Sequence, residues 1–189
     1  MAYLSEIEIK KLKFARVGIN VLISSNSSIY NPELIEIGDN SRIDDYCSIS
    51  GKITIGRNVH ISSYVMVVGG VEGVTFEDYS GASFGCKIFT SSDDYSGEYL
   101  TNPTIPEEFK SVTRAPIKIS KHAIIGTNSV IFPGVNIEVG CAIGAMSMIN
   151  KNTKPWGIYV GIPGRRIKER SRNLLSLDSK YREKYDENI

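Results

Sequence analysis

The sequence predicts a mainly β fold, a triangular coil of short parallel strands that runs through a single domain of 189 residues. Three observations predict it. An aliphatic residue returns every six positions, at Ile37, Ile43, Ile49, Ile55, Ile61 and Val67, and again without a slip at Ile119, Ile125, Ile131, Ile137, Ile143 and Ile149. Four places after each stands a small or β-branched residue. These are Ser41, Cys47, Ile53, Val59, Val65 and Val71 in the first run, and Ala123, Ser129, Val135, Cys141, Ser147 and Thr153 in the second. Between the runs Phe76, Ala82 and Ile88 keep the period, with Ser80, Cys86 and Ser92 at the following small-residue places, after a slip of three residues around "GGVEGV".

A helix would return apolar residues at spacings of three and four, and an ordinary strand would alternate strictly. A period of six fits a coil in which each hexad supplies one flat strand and one turn, and three hexads close a circuit. The aliphatic residue then fills the prism, and the residue four places on is small because it sits near a tight corner. Backbone groups pair with the coils above and below, at roughly 4.8 Å. Cys47, Cys86 and Cys141 all occupy the small-residue place, where a cysteine acts as a small hydrophobe. They are odd in number and form no C-x-x-C pair, so neither a disulfide framework nor a metal site is expected.

The remaining elements follow in order. Residues 1–16 contain "LSEIEIKKLKF", a short helix in which Ser5 and Glu8 form a capping box. The coil spans residues 17–168. Residues 94–116 break it with a long loop, and long ordered loops in compact domains tend to be functional. Trp156, the only tryptophan, is placed to cap the open end of the prism, with contact to a cofactor as the alternative. Residues 169–189 hold a C-terminal helix, with Leu174, Leu175, Leu177, Tyr181 and Tyr185 as its apolar side. The 22 basic and 21 acidic side chains nearly balance, which argues against a nucleic-acid or membrane-surface partner. Apolar runs such as "SYVMVVGGV" are too short to span a bilayer, and no signal peptide opens the chain. The expectation is a soluble, cytoplasmic protein.

The stretches "IGRNVHISS", "ISKHAIIGTNSVIFPGVNIEVGCAIGAMSMINK" and "PWGIYVGIPGRRIK" resemble the hexapeptide-repeat acyltransferases, over roughly residues 17–168. The resemblance is to the sugar acetyltransferases of the maltose, galactoside and polysaccharide-biosynthesis branch. It implies a left-handed parallel β-helix, an exception to the right-handed rule for parallel crossovers. It also implies a homotrimer whose clefts lie between subunits, with acetyl-CoA as co-substrate along the C-terminal coils. By matching position, Thr127 and Ala145 flank the pantetheine arm, Asn150 and Lys151 take the place of a Thr-Lys pair, and Arg165 and Arg166 follow "GIPG" to meet the phosphates. Small residues let a thin thioester arm approach the backbone, and basic ones supply charge-assisted bonds to phosphate.

The acceptor end departs from the resembling pattern. In "KIFTSSDDYSG" the place of the family's histidine holds Asp93, followed by Asp94. Acyl transfer needs a base for the acceptor's proton. Histidine, near pKa 6.5, suits that task, and the chain has only His60 and His122. His60 ends the hexad "IGRNVH" and points outward from a corner, so we read it as the proton acceptor, against a structural corner as the alternative. His122 is the weaker candidate. Asp93 and Asp94 are read as contacts to the acceptor sugar, with Asp93 a second candidate base, against ordinary turn chemistry. The resulting expectation is an acetyl-CoA-dependent acetyltransferase. Its acceptor is a hydroxyl or amino group of a nucleotide- or lipid-linked sugar in surface polysaccharide or O-antigen biosynthesis. The alternative is a non-catalytic β-helix that serves as an assembly module. A carboxylate is a poor base for an alcohol unless burial raises its pKa, so Asp93 as base favours an amine, while His60 leaves both acceptors open.

Overall fold

The computed structural model describes residues 2–185. Successive strands visit three faces in turn. Face 1 carries Arg16–Val17, Ile35–Ile37, Ile53–Ile55, Val74–Phe76, Ile117–Ile119 and Asn136–Ile137. Face 2 begins with Leu22–Ile23, Arg42–Ile43, His60–Ile61 and Gly81–Ala82, continues with Ile124–Ile125, Ala142–Ile143 and Gly157–Val160, and ends in an antiparallel strand, Arg165–Glu169. Face 3 carries Ser28–Tyr30, Ser48–Ser50, Met66–Val68, Lys87–Phe89, Val130–Ile131 and Met148–Ile149. The three faces enclose one core. Every aliphatic residue of both hexad runs is buried in it, each contributing about 1.5–3 kcal/mol.

The small-residue places point inward as well, and all three cysteines are buried. Burial pushes the Cys47 thiol up to about 11. Two assignments at these places are corrected by the structure. Val71 is 81% exposed, because Gly70 and Gly73 adopt φ of +53° and +96° and turn "GGVEGV" outward. Val74 then takes the inward place, in register with Ile53 and Ile117. Ser92 is half-buried rather than inward, because Ser91–Ser92 leave the prism and pair with Thr113–Arg114 as an antiparallel hairpin. That hairpin is the base of the long loop.

Helix α1, Glu6–Leu12, carries the capping box: Ser5 Oγ accepts from the Glu8 amide, and the Ser5 amide donates to Glu8 Oε2 at 2.7 Å. Helix α2, Leu174–Tyr185, docks differently from its sequence pattern. Leu177 is 63% exposed, and the buried residue of the helix is Asp178. An ionic anchor at Asp178 joins the expected apolar side, of which Tyr181 packs edge-on against Tyr79. Arg165–Glu169 is a strand that folds back antiparallel on Gly157–Val160. Trp156 is buried over Gly140, where a β-carbon would lie 2.5 Å from the indole, so the tryptophan caps the last coil.

The corners repeat one device. Asn20, Asn40, Asn58, Tyr79 and His122, each three places after an inward residue of face 1, all have positive φ. Asparagine tolerates the left-handed region, whereas bulky residues adopt it only where their surroundings enforce it. Tyr79 and His122 take the place that asparagine fills in the coils beneath, and both stand beside a cavity.

Candidate active site

On face 2 the outward residues Arg42, His60, Gly81, Ile124 and Ala142 stand in register, one per coil. Gly81 has no side chain, and this opens a hollow of about 260 Å³ walled by His60, Ser62, Tyr79, Ser83, His122 and Ile124. A β-carbon at Gly81 would lie 2.8 Å from the His60 carbonyl oxygen. Space, not backbone conformation, requires glycine there.

His60 reaches this hollow already oriented. Its Nε2 lies 2.8 Å from Asp44 Oδ2, and Arg42 Nε donates to Asp44 Oδ1 at 2.5 Å. Burial pushes the Asp44 carboxyl up, but the hydrogen bonds from Arg42 and His60 outweigh it and hold the group below the usual carboxylate range. Asp44 is thus an anion, and Nε2–H of His60 is the donor to it. That tautomer leaves Nδ1 with the free lone pair. The His60 side chain is about half exposed, while that of Asp44 is buried. A buried carboxylate orienting an accessible imidazole is the arrangement a general base needs.

His122 lies at the corner beside this hollow, but it is committed elsewhere. Its Nε2 is 3.3 Å from Asp178 Oδ2 on α2, and its ring stacks on Tyr79 at 5.3 Å between centroids. Burial pushes its pKa below the ordinary histidine value. Asp178 also receives Lys121 at 3.5 Å and Arg182 at 3.1 Å, so this histidine helps to anchor the C-terminal helix.

Asp93 and Asp94 open the long loop after face 3. Asp93 Oδ2 accepts from the Asn102 amide at 3.2 Å. Asp94 Oδ2 accepts from the Ser96 hydroxyl at 2.7 Å and from the Ser96 and Gly97 amides at 3.0 and 3.2 Å. The Ser96 hydroxyl bond is the main reason that the Asp94 carboxyl is held low. Asp94 thereby organises its own turn. Among the described residues no hydrogen bond or ion pair joins either aspartate to His60, which faces outward from a different side of the prism.

Thr127 and Ala145 stack one coil apart at the corner after face 2, tied by the Met146 amide donating to the Thr127 carbonyl at 2.8 Å. Ala145 is exposed. Asn150 and Lys151 are exposed past the last face-3 strand. Arg165 is exposed and pairs in register with Val160, whose side chain covers Gly144. Arg166 pairs with Glu169. The structure therefore joins Thr127 with Ala145 and sets Arg165 close to that corner.

Sequence reasoning missed Asp44, Ser62, Gly81 and Ser83. Their signal was present: "IDDY", "ISSY" and "ASFG" follow equivalent inward residues of face 2, so aligning the coils puts Asp44, Ser62 and Ser83 in one column. Among the described residues no cluster of three or more His, Cys, Asp or Glu is arranged to hold a metal, and no helix is long and apolar enough to cross a membrane.

Comparison with known proteins agrees with this architecture. The family model for bacterial transferase hexapeptide (six repeats) matches residues 35–69. The dTDP-4-amino-4,6-dideoxy-D-glucose acyltransferase of Escherichia coli is 40% identical over 185 residues, covering 96% of each chain. The galactoside O-acetyltransferase of Escherichia coli K12 is 25% identical over 152 residues, covering 78% of this chain and 70% of the relative. Among solved structures, AntD, an N-acyltransferase from Bacillus cereus in complex with dTDP and 3-hydroxybutyryl-CoA, superposes with a TM-score of 0.97. It is 44% identical, with 98% of this chain and 100% of that chain covered. A serine variant of AntD is in complex with dTDP-4-amino-4,6-dideoxyglucose and coenzyme A. Full-length identity and the coil of hexads together place this chain in the hexapeptide-repeat acyltransferase family, with its left-handed parallel β-helix.

Proposed function

We propose that this protein transfers an acyl group from a coenzyme A thioester to the amino group of a dTDP-linked amino sugar, with acetyl as the donor group. The observation that carries the reading is the His60–Asp44 pair on the rim of the Gly81 hollow, where Ser62 and Ser83 add hydroxyls for a sugar. It is supported by the 40% identity to a dTDP-4-amino-sugar acyltransferase over nearly the whole chain.

In the reaction the amine nitrogen bonds to the thioester carbonyl carbon, and the C–S bond of the resulting tetrahedral adduct breaks. His60 Nδ1 takes the proton that the nitrogen loses and returns it to the departing thiolate. Asp44 holds the ring and stabilises the imidazolium; Arg42 holds Asp44. An amine acceptor suits this site, since a sugar amine is partly neutral near pH 7 and needs only to shed a proton during attack. The thioester arm runs past Thr127 and Ala145, and Arg165 and Lys151 meet the phosphates. The clefts lie between subunits of a trimer, into which the Asp93–Asp94 loop of one subunit reaches toward a neighbour's acceptor site. Mass spectrometry of the sugar nucleotide after incubation with acetyl-CoA and dTDP-4-amino-4,6-dideoxyglucose tests the reading. Acetylation at nitrogen supports it. Transfer from 3-hydroxybutyryl-CoA but not acetyl-CoA would reassign the donor. Binding of both substrates without any transfer would favour a non-catalytic module.

A further inference from the structure

The corner after face 2 changes character partway along the prism. Two places after each inward residue of that face stand Ser25, Asp45, Ser63, Phe84, Thr127 and Ala145. Backbone bonds hold consecutive members on successive coils: the Gly85 amide donates to the Ser63 carbonyl at 3.0 Å, Asn128 to Phe84 at 2.8 Å and Met146 to Thr127 at 2.8 Å. Phe84 is the one large apolar residue of this column, and it is 56% exposed. A single exposed apolar side chain is ordinary on a protein surface, so its place in the column is the informative part.

The adjoining column changes at the same coil. One place after each inward residue, the lower coils carry Asp44, Ser62 and Ser83, whereas the upper ones carry Gly126 and Gly144. Bare backbone beside small residues therefore runs from the C-terminal end as far as Thr127, and larger side chains begin at Ser83–Phe84. Ser83 lines the Gly81 hollow. Phe84 thus stands where the two halves of the proposed site meet, one coil, about 4.8 Å, beyond Thr127. On the next coil the same corner carries Tyr64, stacked on Tyr46 with ring centroids 5.1 Å apart.

We infer that Phe84 sets the length of the acyl group this protein accepts, by closing the corner against the end of the acyl chain. The inference rests on the proposed function, in which the thioester arm passes Ala145 and Thr127, and it adds the residue that selects the donor. An arm descending that corner brings its thioester carbonyl beside Ser83, where the hollow holds the amine. The two-carbon acetyl group ends there, with its methyl against the ring. A four-carbon group such as 3-hydroxybutyryl has to continue along the corner, through the space that Phe84 occupies and toward Tyr64. One methylene more or less in an apolar pocket discriminates by about 10–200-fold.

A comparison of donors tests this. The ratio of kcat/KM for 3-hydroxybutyryl-CoA to that for acetyl-CoA, with dTDP-4-amino-4,6-dideoxyglucose saturating, cancels any general loss of activity. The parent protein is expected to favour acetyl-CoA. Phe84→Ala is expected to raise the ratio by about tenfold or more and Phe84→Val by less. Phe84→Tyr keeps the ring and is expected to keep the parental ratio. Coenzyme A itself, titrated calorimetrically, is expected to bind the parent and Phe84→Ala alike, because it carries no acyl group. A parental ratio in folded Phe84→Ala, an equal shift in Phe84→Tyr, or a parent that prefers the longer donor overturns the inference while acyl transfer to the amine stands. A parental ratio joined to a smaller mass by light scattering makes Phe84 a contact between subunits and overturns it equally. Absence of transfer from either donor by the folded parent overturns the functional reading and the inference together.

Discussion

Replacing Gly81 by alanine tests whether the face-2 hollow is the acceptor site. The added β-carbon meets the His60 carbonyl oxygen at 2.8 Å, against 3.4–4 Å for an ordinary contact. About 0.6 Å or more must be recovered by moving backbone, and the segment that gives way carries the His60 imidazole. A displacement of about 1 Å at a reacting group costs on the order of 10²-fold in rate, so half of that corresponds to about tenfold. The methyl also intrudes on the space where the sugar would lie.

Stability changes less. Crowding of this kind costs about 1–3 kcal/mol, offset by about 0.4–1 kcal/mol from stiffening the unfolded chain. A net loss of about 1–2 kcal/mol lowers the melting temperature by roughly 2–8 °C in a chain of this size. Thiol release with a saturating donor gives kcat and the acceptor KM, and calorimetry gives coenzyme A affinity. The expected Gly81→Ala protein is folded, binds coenzyme A as the parent does, and has kcat reduced about tenfold with a raised acceptor KM. A folded variant with parental kcat and acceptor KM would move the acceptor site off this face.

His60→Asn is expected to lower kcat by about 10²–10⁴-fold with little change in coenzyme A affinity; an active variant would transfer the base role to Asp93. Ala145→Phe is expected to leave the coil folded and to weaken acetyl-CoA binding by tenfold or more; unchanged affinity would place the thioester arm elsewhere. Stability against pH follows from His122, whose folded pKa lies below its ordinary value of about 6.5 because it is buried. The unfolded chain takes up that proton first, so this contribution is complete above about pH 6.5 and is lost as the pH falls toward the folded value. The melting temperature should therefore drop between about pH 7.5 and 5.5, with the step missing in His122→Gln. A flat profile in the parent protein refutes the assignment. Asp44 and Glu77 are held low, so their contributions are present above the ordinary carboxylate range and fade only beneath it, outside this window.

Much of the fold is legible because each inward residue obeys the same local rule. A hexad needs one aliphatic side chain and one small or β-branched one, and Ile37 through Ile61 and Ile119 through Ile149 supply both at buried positions. The rule fails where tertiary context decides. Val71 satisfies the spacing but is turned out by two glycines with positive φ. The apolar pattern of α2 is real in sequence, yet the helix docks by a buried aspartate whose partners lie more than fifty residues earlier at Lys121 and His122. No local reading reveals a long-range ion pair. His60 was legible as one of two histidines; expected at an outward corner, it stands outward on the face-2 strand His60–Ile61. Its partner Asp44 was not, because the two meet only when one coil lies on the next.

The same logic explains where the candidate site lies. A repeating coil makes each outward column chemically uniform unless single residues depart from it, so specificity has to be written as exceptions. Face 2 carries several close together: Arg42 and His60 sharing one buried carboxylate, Gly81 where a side chain is expected, then Ile124. The neighbouring corner adds two more, Tyr79 and His122 in a backbone region that the coils beneath fill with asparagine. The coil containing Gly81 also follows the "GGVEGV" slip and precedes the long loop, so the two largest breaks in the period flank it in sequence. Regular hexads above and below hold these departures rigid: inward neighbours Ile61, Ala82 and Ile125 are fixed in the core immediately beside the outward residues that line the hollow. The prism thus acts as the support that orients His60, and in the proposed reaction the irregular coils supply the chemistry.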